Sequence, residues 1–89
     1  MPKAFVLINV DSGTEEEVIK ELRAISGIEE SYLSYGVYDI IIKVKAENMD
    51  NLKDLVTRKI RNLTNVRSTL TLILTENWPL HFTLFFKIN

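Results

Sequence analysis

The feature that most constrains this chain is the order of its hydrophobic periodicities. Residues 3–10, KAFVLINV, are rich in β-branched and aromatic side chains and stop at Asp11-Ser12-Gly13, the pattern of a buried strand and a turn. SGTEEEVIKELRAIS then sets Val18, Ile19, Leu22 and Ile25 at helical spacing behind three glutamates, with Ser12 and Glu15 placed as a capping box and Gly27 as the end cap. IEESYLSY and YDIIIKVKA are strand patterns on either side of Gly36-Val37, where the spacing predicts a tight two-residue hairpin turn. ENMDNLKDLVTRKIRNL returns to helical spacing, with Met49, Leu52, Leu55, Val56, Ile60 and Leu63 on one face. VRSTLTLILTE closes the series as a strand in which Leu70, Leu72 and Leu74 alternate with Thr69, Thr71, Ile73 and Thr75.

The order β-α-β is therefore written twice, and the halves match in detail. LINV (7–10) falls on IIKV (41–44), and SGIEES (26–31) falls on TNVRST (64–69), which pairs Gly27 with Asn65 at positions suited to a left-handed cap. Such a doublet is predicted to be α+β, a ferredoxin-like βαββαβ sandwich whose four-stranded antiparallel sheet carries both helices on one face. Residues 1–76 make the domain, and 77–89 a C-terminal tail. There Leu80, Phe82, Leu84, Phe86 and Ile88 alternate with His81, Thr83, Phe85 and Lys87 behind Pro79, which predicts a fifth strand on a sheet edge, the chain's own or a neighbour's. Trp78 is expected to pack.

Strand alternation makes both sheet faces apolar. The first strand offers Phe5 and Leu7 to one side and Val6, Ile8 and Val10 to the other; the third sets Ile41 against Ile40, Ile42 and Val44. A contiguous apolar face opposite the helices marks an interaction surface, and a symmetric sheet-to-sheet homodimer is the economical way to cover it. At 89 residues the chain is near the lower limit for a self-sufficient core, which favours association.

Composition removes several function classes. With 11 Lys and Arg against 12 Asp and Glu, the net charge of -1 lacks the footprint of a free-standing nucleic-acid binder. Lys53, Arg58, Lys59 and Arg61 make the second helix basic, but the central strands, with Phe5 alone, lack the set of aromatic residues that stacks bases, so no direct DNA or RNA contact is expected. No cysteine means no disulfide, thiolate nucleophile or cysteine-based metal site, and a single histidine, His81, cannot supply a triad or a multi-histidine centre. Glu15, Glu16 and Glu17 are explained by the helix dipole, and DSGT (11–14), with one glycine, is not a phosphate loop. The first ten residues are too short to span a membrane. A cytoplasmic protein with no cofactor, metal or membrane partner is expected.

What remains is YLSYGVYD (32–39) and RSTLT (67–71). From the residues alone, Asp39 is as much a strand-start residue bonding its own hairpin as a site residue. The set YGVYDIIIKV, a short acidic and apolar helix and NVRSTLTLIL resembles the effector-binding (RAM) domain of the Lrp/AsnC transcription factor family over residues 3–76. The resemblance implies a sheet-to-sheet dimer, dimers joined into a ring such as an octamer, and a small molecule, usually an amino acid, held between dimers near the hairpin. Carried over, Gly36 lets the backbone approach the ligand, Tyr38 and Asp39 flank it with Asp39 facing its ammonium, and Ser34 and Tyr35 stand nearby. Ser68, Thr69 and Thr71 supply hydroxyls for its carboxylate. Full-length members begin with a helix-turn-helix DNA-binding domain, whereas this chain begins at the first strand. The expectation is a stand-alone, non-catalytic, amino-acid-sensing oligomer that modulates the regulation of amino acid metabolism by mixing subunits with full-length Lrp/AsnC-type regulators. Two alternatives share the fold: an ACT-like regulatory module, and a small enzyme or enzyme subunit using Asp39 and Tyr38 as acid and base.

Overall fold

Burial alternates residue by residue along the first strand of the computed structural model, which describes residues 1–75 and 84–88. In β1 (Lys3–Val10), Ala4, Val6, Ile8 and Val10 are buried, while Lys3, Phe5, Leu7 and Asn9 are half-buried. β3 (Ile40–Lys45) repeats the pattern, burying Ile40, Ile42 and Val44. These side chains meet Val18, Ile19 and Leu22 of α1 (Glu15–Arg23) and Leu52 of α2 (Met49–Asp54), so both helices lie on one face. β2 (Ile28–Leu33), β4 (Val66–Thr75) and β5 (Leu84–Ile88) complete an antiparallel sheet in the order β2-β3-β1-β4-β5. The predicted ferredoxin-like sandwich is present, and β5 pairs with the chain's own β4. Trp78, Pro79 and His81 lie outside the described residues.

The internal repeat reappears as a reciprocal clasp. The Lys45 amide, at the end of β3, donates to the Gly27 carbonyl at 2.8 Å, and the Asp11 amide, just after β1, donates to the Asn65 carbonyl at 2.9 Å. Each half's helix-to-strand turn is thus held by the other half's first strand. The ladders slip at equivalent places too, between Ile28 and Glu30 in β2 and opposite Asn9 and Val10 in β4, so Glu29 and Arg67 occupy matching bulges.

Four local expectations are corrected. Ser12 does not cap α1: the N-cap is Thr14, whose hydroxyl donates to the Asp11 carbonyl at 2.6 Å and closes the turn itself. Gly27 is not the end cap of α1, which stops at Arg23 with Ala24 in right-handed geometry. Gly27 has φ +102, and a Cβ there would stand 2.9 Å from the Lys45 carbonyl oxygen, so the clasp requires glycine. The second helix is not α-helical throughout. It starts at an Asn48 cap, whose side chain accepts from the Asn51 amide at 2.8 Å, and continues over Leu55–Ile60 as a π-helix. There the Arg61 amide reaches back five residues to Val56 at 3.1 Å. Leu52, Val56 and Ile60, four apart, stay on the buried face in this wider turn, while Met49 is exposed.

The fourth correction concerns the hairpin. The Ser34 amide donates to the Asp39 carbonyl at 2.8 Å, leaving four residues, Tyr35 to Tyr38, in the loop, so Gly36-Val37 is not a two-residue turn. A type I′ turn needs positive φ at both central residues, which β-branched Val37 resists; Gly36 alone takes it, at φ +147.

Candidate ligand site at the hairpin end of the sheet

Asp39 fastens this loop with its amide, its carbonyl and one carboxylate oxygen. Its amide donates to the Ile8 carbonyl at 3.0 Å, one residue out of step with the ladder that pairs Ile8 with Ile40. Its carbonyl accepts from Ser34, and its Oδ2 accepts from the Val10 amide at 2.9 Å. Where the β1 ladder slips, the carboxylate therefore takes the place of a backbone acceptor, and it does so for β1 rather than for its own hairpin. Oδ1 makes no hydrogen bond to another described residue.

Ser34, Tyr38 and Asp39 are half-buried, while Tyr35 and Gly36 are exposed and Val37 is 83 % exposed. The loop therefore presents an apolar tip. Across β1, Asn9 pairs with Ser68 in the β4 register and its Nδ2 donates to Ser68 Oγ at 3.3 Å. Asp39 and Ser68 thus flank β1 on its two sides, two strand spacings or roughly 10 Å apart. Arg67 and Asp11 form a 3.9 Å ion pair at the same end. The structure brings Ser34, Tyr35, Gly36, Tyr38, Asp39 and Ser68 to one end of the sheet.

Thr69 and Thr71 are placed differently. Paired with Ile8 and Val6, they point to the helix-covered side, opposite Ser68. Thr71 is 3 % exposed, and neither hydroxyl has a hydrogen-bond partner among the described residues. Asn9 and Val10 are the participants that the sequence reading missed. The signal was the repeat itself, whose bulge disturbs the ladder beside Val10.

The open face of the sheet begins at this end and becomes apolar within one residue pair. Tyr32, Ile41, Leu7 and Leu70 lie in one cross-strand row, and Glu30, Lys43, Phe5 and Leu72 in the next. A Lys43–Glu30 ion pair of 3.7 Å and the Tyr32 hydroxyl, which donates to Glu30, sit at its rim. That hydrogen bond, and then the charge of Glu30, push the Tyr32 phenol above its ordinary value of 10.0. A cleft of about 470 Å³ opens at the far end of the sheet, away from the hairpin, among Ser26, Gly27, Lys45, Asn51, Asp54 and Lys59. Among the described residues, no group of three or more His, Asp or Glu side chains could hold a metal ion, and no helix is long and apolar enough to cross a membrane.

Comparison with known proteins shows what the chain and its fold are similar to. The family model described as the Lrp/AsnC ligand binding domain matches residues 3–81. An uncharacterised HTH-type transcriptional regulator of Pyrococcus furiosus is 37% identical over 73 residues, covering 79% of this chain and 49% of the regulator. Regulatory protein AsnC of Escherichia coli is 32% identical over 59 residues, covering 66% of this chain and 39% of that protein. The chain spans about half the length, or less, of these curated relatives. The solved E. coli AsnC structure superposes with TM-score 0.80 at 28% identity, over 85% of this chain and 52% of that one. A transcriptional regulator from Neisseria meningitidis, solved as an L-Met complex, shares the fold with TM-score 0.76 at 12% identity, over 85% of this chain and 51% of that one.

Proposed function

Because this chain belongs to the Lrp/AsnC ligand-binding domain family, we propose that it is a non-catalytic regulatory module that binds an amino acid at the hairpin end of its sheet and dimerises through the open face. The observation that carries this reading is the juxtaposition of that face with Asp39. Phe5, Leu7, Ile41, Leu70, Leu72 and Leu74 are half-buried in a face that neither helix covers, and a second copy laid upon it removes them from water. Its polar margin, Asn9 and Ser68, adjoins the loop that Asp39 fastens. Asp39 Oδ1 is the acceptor offered to a ligand ammonium, and Ser68 and the loop amides are the donors offered to its carboxylate. Tyr38, Tyr35 and Gly36 form the wall nearest the solvent, completed by a neighbouring dimer in a ring. Thr69 and Thr71 reach a ligand only from the helix side. The relatives are transcriptional regulators, and the common sheet face would let this chain mix subunits with longer family members.

Thermal unfolding against each of the twenty amino acids tests this directly, since a ligand at about 100 times its Kd adds roughly 2.7 kcal/mol. One or a few are expected to raise Tm. Asp39→Asn keeps an oxygen for the Val10 amide but removes the charge, so it should fold as before and lose the ligand shift. A shift that persists in Asp39→Asn sinks the assignment of Asp39, and silence across the panel sinks the amino-acid reading.

A further inference from the structure

The two edges of the sheet are guarded by different means. The outer edge of β2 carries the exposed Glu29 and Glu30 and is broken by a bulge between Ile28 and Glu30, both of which discourage a foreign strand. The first half of β4 is guarded in the same way, by the exposed Arg67 and the slip opposite Asn9 and Val10. Beyond it the guard stops. Thr69 to Thr75, TLTLILT, holds seven residues without a charge, proline or glycine, the composition of a strand that pairs with its own kind.

β5 covers the outer edge over Thr71–Thr75 of that stretch. Its register runs from Thr71 opposite Ile88 to Thr75 opposite Leu84, and among the described residues Val66–Leu70 have no strand partner on that side. Coverage by backbone begins within the window where protection by charge has ended. The strand that provides it lies beyond residues 3–81, the part matched by the family model.

We propose that β5 is a built-in cap on a self-complementary strand edge, and that the edge beneath it, once β5 leaves, takes the same edge of a second copy of this chain. Antiparallel pairing of β4 with β4 is isologous, so one strand supplies both sides of the contact. This edge-to-edge association is distinct from contact through the open face.

The test compares the full chain with a chain ending at Thr83, by sedimentation velocity over a range of concentrations and by amide exchange. The shortened chain should gain association, with an association constant raised at least about tenfold. Its Thr71 and Ile73 amides, which alternate with those bonded to β1 and face the β5 side, should exchange fast when dilute and slowly when concentrated. Adding Thr75→Lys to the shortened chain should reverse the gain by restoring a charge to the edge, and a peptide of residues 82–89 supplied in trans should do the same. An unchanged sedimentation profile in the shortened chain overturns the proposal. Should that chain not fold, Phe86→Pro in the full chain, which removes a strand N–H, is read in its place: new association supports the cap, and a native profile overturns it.

Discussion

β2 and β4 hold equivalent places in the repeat, yet they end differently. Both follow a helix-to-strand turn clasped by the other half, and both carry a bulge, at Glu29 and at Arg67. After that they diverge. β2 stops at Leu33 and turns into the exposed loop, whereas β4 runs to Thr75 through a stretch without charge. Tyr32 and Leu70 are counterparts facing the open side, one exposed and tied to Glu30, the other half-buried against Leu7. Leu33 and Thr71 are counterparts on the other side, and there the polarity is inverted: the leucine is exposed and the threonine buried. The two halves therefore share a backbone plan, and their side chains make one flank a polar rim and the other an apolar strand.

The largest effect expected from breaking this difference is at Leu70. Leu70→Lys puts an ammonium in the middle of the open face, so the proposed dimer should fall to a monomer in sedimentation equilibrium and Tm should lose its dependence on protein concentration. Tyr32→Lys, at the rim, should leave the mass unchanged. If both variants behave alike, the two flanks do not differ in function. A smaller effect is expected beneath the helices. Thr71→Val removes a buried hydroxyl without a partner among the described residues and should raise stability by about 1 kcal/mol in denaturant unfolding, while Leu33→Thr, at the exposed counterpart, should stay within about 0.5 kcal/mol. A loss of stability in Thr71→Val would mean that the hydroxyl is bonded.

The smallest effect concerns the rim itself. The Tyr32 phenol is held protonated by Glu30, so its folded value is raised; the associated stability is present below the unfolded value of 10.0 and disappears as pH climbs through the folded one. In Glu30→Gln the Tyr32 resonance followed by NMR should titrate closer to 10.0. An unmoved midpoint would show that the hydrogen bond does not form in solution.

Much of the fold was legible because periodicity survives in half-buried elements. Alternation in KAFVLINV and IIIKVK located the strands, and the match of Gly27 with Asn65 aligned the two turns, though as helix caps rather than as the carbonyls that the Lys45 and Asp11 amides hold. The π-helical stretch was not legible, because apolar residues spaced by four fit an α-helix nearly as well. The hairpin closure was hidden for another reason. Gly36 announces a turn but not its length, which is set by where Asp39 is anchored, and that anchor is a peptide amide 29 residues away. For the candidate site, the sequence could nominate Asp39, Ser68, Thr69 and Thr71 together. It could not show that the threonines turn away from the serine, because alternation gives opposite faces without saying which is inside.

The reciprocal clasp has a consequence for how the chain acquires its fold. The turn before β2 is held by β3, the turn before β4 is held by the residue after β1, and β1 itself lies between β3 and β4. Each half makes short bonds within its own turn, from the Ile28 amide to Ile25 and from the Val66 amide to Leu63. The long-range bond that anchors the turn comes from the other half, so a chain emerging from the ribosome gains little lasting order from its first β-α-β unit. Ordering waits for distant segments to meet, which makes unfolding all-or-none and ties the lifetime of the native state to its slowest long-range pairing.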